Sequence, residues 1–201
     1  SSLLEPLLDE QLRGFFTAAQ GSKQPADRQA EVAPIRTPVM LAGVPQAVQQ
    51  LVAPWWGQWG MQPLAGGHAG GEAGAVPWVP LAPGDAVAAV LVLGDVNIAA
   101  TGTVTTVQRN EVTAFGHPFM GLGAVSLPMA RATILNTMVS ARHSFKMSAT
   151  SDIIGEFTQD RLSAIAGVLG PPPPMLPVHG RMQTQAGKSV FHFAVARDAV
   201  L

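Results

Sequence analysis

The chain has 201 residues, of which 47% are hydrophobic and only 12% charged, against about 25% charged in an average globular domain. That excludes an intrinsically disordered chain and leaves room for one sizeable domain or two small ones with a genuine core. A net charge of −1 makes no electrostatic case for a nucleic-acid partner. The absence of cysteine excludes disulfides, thiolate chemistry and cysteine-ligated metals.

The chain opens on Ser1 with no signal-peptide pattern ahead of it, so it reads as a processed product or a piece of a longer protein. Leu4, Leu7, Leu8, Leu12, Phe15 and Phe16 follow the spacing of one apolar helix face and predict a helix over Leu3–Ala19. Gly21–Pro34 reads as a polar, turn-rich loop. A short strand at Pro38–Leu41 and a helix over Gln46–Trp59, interrupted or ended near Pro54, are expected next. Trp55, Trp56 and Trp59 cluster there as packing residues. The run AGGHAGGEAGA has linker composition. It divides a helical and linker part, 1–64, from a β-rich part, 77–201, with the glycine-rich linker at 65–76. No strand, helix or lysine around it supports a phosphate-binding loop.

From Ala86 the texture changes to short runs of Val, Ile and Thr broken by glycine. Ala86–Asp95, Ala100–Val107 and Glu111–Pro118 are consecutive strand candidates. Arg109-Asn110 joins the last two as a tight hairpin, with asparagine suited to the left-handed turn conformation. Ala132–Val139, Phe145–Ser148, Ile153–Phe157, Leu162–Leu169, Val178–Gln185 and Ser189–Ala196 follow. Pro171–Pro174 forms an extended crossover that no central ladder admits. The expectation is a mainly β fold, an antiparallel barrel or sandwich. No apolar run reaches the roughly 20 residues of a membrane-spanning helix.

Five histidines are candidates for proton transfer: His68, His117, His143, His179 and His192. None pairs at a metal-ligating spacing, so neither metal nor cofactor is expected. His68 falls in the linker, His143 beside Arg142, His192 opposite the apolar face of the last strand, and His179 has no telling neighbour. His117 lies in Ala114-Phe115-Gly116-His117-Pro118-Phe119. Gly116 permits a sharp turn, while Pro118 fixes φ and holds His117 extended. A ring so constrained suits a general base, though spacing alone equally allows a plain strand-end turn.

The ordered series Leu81-Ala82-Pro83-Gly84-Asp85, Leu91-Val92-Leu93-Gly94-Asp95, Gly102-Thr103-Val104-Thr105 and Phe115-Gly116-His117-Pro118-Phe119 resembles the stage IV sporulation protein B family of serine peptidases (the SpoIVB type). Pro128-Met129, Ser144-Phe145-Lys146, Gly155, Gln159-Asp160-Arg161 and Gly167-Val168-Leu169-Gly170 extend the likeness, which spans roughly Pro80 to Val178. The resemblance implies a chymotrypsin-like antiparallel β-barrel architecture, following the short N-terminal helices read from the apolar spacing. It also implies an extracytoplasmic or secreted setting, a protein or peptide substrate, and His117 as catalytic base. The family's serine lies in a G-M-S-G-S-P segment, and no G-x-S-G occurs here. Ser22 is the nearest imitation, and Ser140, Ser144 and Ser148 lack an elbow. In several secreted relatives the serine segment precedes the histidine, which would put the nucleophile upstream of Ser1. Loss of a serine nucleophile costs about 10⁶-fold in turnover, so this segment alone is expected to be inactive. Asp95, Asp152 and Asp160 are candidates to orient the imidazole, with Asp160 beside Arg161 also readable as an ion pair. The rival expectation is a non-catalytic β-rich binding or structural module of a bacterial envelope protein.

Overall fold

A computed structural model of the chain describes residues 36–66, 79–138, 145–185 and 187–198, all within the compact unit Pro34–Leu201. The predicted helix Leu3–Ala19 and most of the glycine-rich stretch lie outside the described residues. What is described is mainly β, with ten strands in one mixed, mostly antiparallel sheet and one short helix. Among the described residues no helix is long and apolar enough to cross a membrane.

Strand β1 (Thr37–Ala42), helix α1 (Gln46–Gln58) and strand β2 (Met61–Ala65) form a β-α-β unit. β2 runs parallel to β1, with Thr37 opposite Met61, and a parallel pair needs such a crossover. Nothing in the sequence pattern had suggested β2, and Pro63 argues against a central strand. It is tolerated because β2 ends the sheet and bonds only to β1. α1 continues through Pro54 instead of stopping there, at the loss of one backbone hydrogen bond.

Strands β3 (Ala86–Gly94), β4 (Asn97–Gln108), β5 (Glu111–Ala114), β6 (Gly123–Met138), β7 (Phe145–Arg161) and β8 (Ala164–Leu169) follow. They pair in the order β4-β5-β8-β7-β6-β3, and β3 returns to β4, so six strands close a ring. Strands β9 (Met175–Thr184) and β10 (Gly187–Ala196) make a hairpin joined to β3 through β10. Pro171–Pro174 lies between β8 and β9, outside every ladder.

Several boundaries differ from expectation for identifiable reasons. Phe145–Ser148 and Ile153–Phe157 belong to one 17-residue strand, and Ala132–Val139 mostly coincides with the far half of β6. Register shifts recur along β6–β7. Each bulge resets the in–out alternation, so a long bent strand reads as short ones. In the β4–β5 turn it is Arg109, with φ 57°, that takes the left-handed conformation, not Asn110. β5 stops at Ala114 because Phe115 and Gly116 both have positive φ, 74° and 72°, which no strand continues.

One hydrophobic cluster draws on all six ring strands, including Val87, Val104, Val112, Leu127, Phe157 and Ile165. β1 and β2 add Val39, Leu41 and Met61. A smaller cluster, Ala88, Val90, Ala99 and Ala130, packs with Leu93, Ile153 and Met175. β3 is therefore buried on both faces, which explains its unbroken apolar run, AVAAVLVLG.

Two glycines of the family-like motifs are required by close backbone approach. A Cβ on Gly155 would overlap the carbonyl of Val168, and one on Gly167 would overlap that of Glu156. Gly167→Ala is expected to lower stability by about 1–3 kcal/mol through overpacking. Gly57→Ala, in α1 and facing only an ordinary contact with Arg36, should raise it by about 0.5–1 kcal/mol. Urea unfolding of both variants checks the contrast.

Candidate functional site

The site is built where β4 changes partners. One edge of β4 pairs with β1 through Asn97–Ala100 and then with β5 through Val104–Gln108. Between the two, Thr101–Thr103 pair with β3 alone. A cleft of about 650 Å³ opens there, with β1 and β2 on one side and the segment Phe115–Met120 on the other. His117 lines it, and its ring is exposed.

The turn that carries His117 is held in three ways. Phe115 takes a left-handed conformation with φ 74°, a strain of about 1–3 kcal/mol for a bulky residue. Its ring lies where a Cβ of Gly102 would be, so the glycine in Gly102-Thr103-Val104-Thr105 makes room for it. The same ring meets Phe157 edge-on at 6.2 Å, Phe119 at 6.3 Å and His117 at 5.7 Å. Since Phe157 is fully buried, the aromatic series ties the histidine to the core.

Asp160 supplies the second restraint. It is 1% exposed and its carboxylate accepts backbone N–H groups from Phe119 (2.8 Å), Met120 (2.7 Å), Gly121 (2.7 Å) and Leu122 (3.4 Å). Charge-assisted bonds of this kind are about twice as strong as neutral ones. Asp160 is thus neither an ion pair with Arg161, whose Nε donates to Gln159 Oε1 at 2.8 Å, nor a partner of His117. Thr37 adds a third tie, its hydroxyl donating to the Phe119 carbonyl at 3.4 Å.

His117 itself makes one informative hydrogen bond. Its Nδ1 lies 2.8 Å from the carbonyl oxygen of Pro118. A carbonyl only accepts, so Nδ1 carries the proton and donates it. In the neutral ring Nε2 is then left with its lone pair as the open acceptor. The orienting group is a backbone carbonyl, not a carboxylate. Asp95, just past the end of β3, accepts the N–H of His192 on β10 at 2.7 Å, and Asp152 is exposed on β7.

The remaining candidates separate from this site. His179 does have a neighbour: it sits opposite His192 in the β9–β10 register, ring to ring at 5.0 Å, and both are exposed. His68, His143, Ser22, Ser140 and Ser144 lie outside the described residues. Ser148 is buried and its hydroxyl is hydrogen-bonded to Thr101 at 2.7 Å. No described serine lines the cleft. Among the described residues no three histidine or acidic side chains gather as a metal site.

Two cleft residues were not among the sequence candidates for the site, although Lys146 lies in the family-like stretch Ser144-Phe145-Lys146. Arg36, just ahead of β1, and Lys146, near the start of β7, both line it. Lys146 arrives because β7 folds along β4. Its Nζ donates to Thr103 Oγ1 at 3.0 Å, Ser148 bonds Thr101, and Thr150 donates to Asn97 at 3.4 Å. Trp59 also lines the cleft, while Trp55 is 43% exposed on α1.

No protein-family model, curated protein or solved structure matches the chain significantly.

Removing the carboxylate tests how the turn is held. Asp160→Ala is expected to cost on the order of 3 kcal/mol in urea unfolding, because four N–H groups lose a charged acceptor. Asp160→Asn, which keeps one acceptor oxygen, should cost less. Amide exchange at Phe119–Leu122 should accelerate in both. A loss below about 0.5 kcal/mol, the level of an ordinary surface change, with those amides still protected would show that another acceptor holds the turn.

Proposed function

We propose that this segment is the histidine-bearing portion of an extracytoplasmic serine endopeptidase of the SpoIVB type. The observation that carries the reading is the state of His117: an exposed ring in a cleft, with Nδ1–H engaged by Pro118 and Nε2 open. On this reading the six-strand ring is a chymotrypsin-like β-barrel, and the motif order of the sequence supports the family.

The chemistry follows from that nitrogen. Nε2 takes the proton of a serine hydroxyl as its oxygen bonds to the scissile carbonyl carbon, then gives the proton to the departing amine as the C–N bond breaks. A water repeats the sequence on the acyl-enzyme, releasing the second product. The serine comes from polypeptide outside this segment and reaches the cleft from its open face. Pro118 does the work of the usual acid in fixing the tautomer. A neutral carbonyl stabilises the imidazolium less than a carboxylate does, so a modest turnover is expected. The N–H groups of Phe119–Leu122 are occupied by Asp160, so the oxyanion donors belong to the serine-bearing segment.

The test uses the full-length protein with a fluorophosphonate probe. Labelling of a serine is expected, falling by about 10⁶-fold in rate in His117→Ala, as for loss of the base in other serine peptidases. Labelling unchanged in His117→Ala would remove His117 from catalysis. No labelling of the native protein would favour the non-catalytic binding or structural module, for which the lack of a described serine in the cleft is the supporting observation.

A further inference from the structure

Among the described residues the cleft is electrically one-sided: its ionisable lining is Arg36, His117 and Lys146, with no aspartate or glutamate. The carboxylate behind its wall, Asp160, is 1% exposed and turned to backbone N–H groups. Among the described residues no carboxylate pairs with Arg36 or Lys146.

The donors are partly arranged. Thr103 Oγ1 takes one N–H of Lys146 at 3.0 Å, which positions the ammonium and leaves two donors free. Arg36 offers a planar fork suited to binding both oxygens of a carboxylate. Met40, Trp59, Leu64 and Phe115 supply apolar walls. Low-dielectric walls around cations that have no carboxylate partner among the described residues focus a positive potential into the cleft.

We propose that this cleft is a carboxylate-binding subsite, and that the ligand it takes is an acidic peptide whose carboxylate lies against Arg36 and Lys146 beside His117. Calling that peptide a substrate rests on the peptidase reading; the binding itself does not. The apolar walls suit a hydrophobic residue next to the acidic one. A carboxylate can come from a glutamate side chain or from a free C-terminus, and both present the same two oxygens.

Fluorescence anisotropy of short labelled peptides of Ala, Leu and Ser on the whole chain separates these cases. The probes are an amidated peptide with one central Glu, its Gln counterpart, and the Gln peptide with a free C-terminus. At low salt a carboxylate-bearing peptide is expected to bind about tenfold or more tightly than the amidated Gln peptide, the scale of one charge-assisted contact. Which one does so names the source of the carboxylate. The preference should shrink in about 1 M salt, where screening acts within about 3 Å, and vanish in the double variant Arg36→Gln, Lys146→Gln. Both side chains are exposed, so that variant should keep the native melting profile. Equal binding of all three peptides, absence of binding, or a preference that survives in the folded double variant would overturn the proposal. A full-length protein that prefers the acidic peptide yet ignores fluorophosphonate would end the peptidase reading while leaving this one. Labelling without the acidic preference would do the reverse.

Discussion

The carboxylate of Asp160 is the tie on which the histidine turn depends. It sits at the end of β7, nearly inaccessible to water, and four consecutive N–H groups from a different part of the chain converge on it. A buried carboxylate without donors would cost several kcal/mol, and the buried N–H of Phe119 without an acceptor would cost about 1–3 kcal/mol, with the part-buried N–H groups of Met120–Leu122 adding to it. Each side therefore solves the other's problem. The result is a loop that cannot rejoin a sheet ladder, because its donors are already taken. The chain is compelled to leave β5, expose His117, and return to begin β6.

Strain at Phe115 completes that compulsion. A left-handed phenylalanine persists only where packing over-determines it, and here the ring lies over Gly102 and against Phe157 and Phe119. Backbone geometry, aromatic packing and the Asp160 hydrogen bonds all converge within a few residues of one exposed imidazole. A proton-transfer group gains directly from a position fixed in this way.

The strand-rich body of the fold was legible because β3, β4, β5 and the β9–β10 hairpin are short-range elements with β-branched runs and turn residues between them. The turn that carries His117 was legible for the same reason: glycine and proline on either side of it are local signals. The partners of the turn were not. Asp160 lies 40 residues from Met120 in sequence, and its neighbour Arg161 offered a plausible but false local explanation. Lys146 reaches the cleft only because β7 is one long bulged strand, which alternation cannot show. β2 is short, contains Pro63 and exists only through its pairing with β1, so no periodicity could announce it. Conversely, Gly102, Gly155 and Gly167 were visible as motif letters, and the structure supplies their reason in close contacts that a Cβ would block.

The tautomer of His117 links the fold to the proposed chemistry, since a ring protonated on Nε2 would present a donor where a base is required. A long-range ¹H–¹⁵N correlation spectrum of the labelled protein, recorded where the ring is uncharged, measures it directly. The expected result is a protonated Nδ1 and a bare Nε2. A proton resident on Nε2, or a freely averaging mixture of both forms, would contradict the hydrogen bond to Pro118 and with it the assignment of His117 as a positioned base.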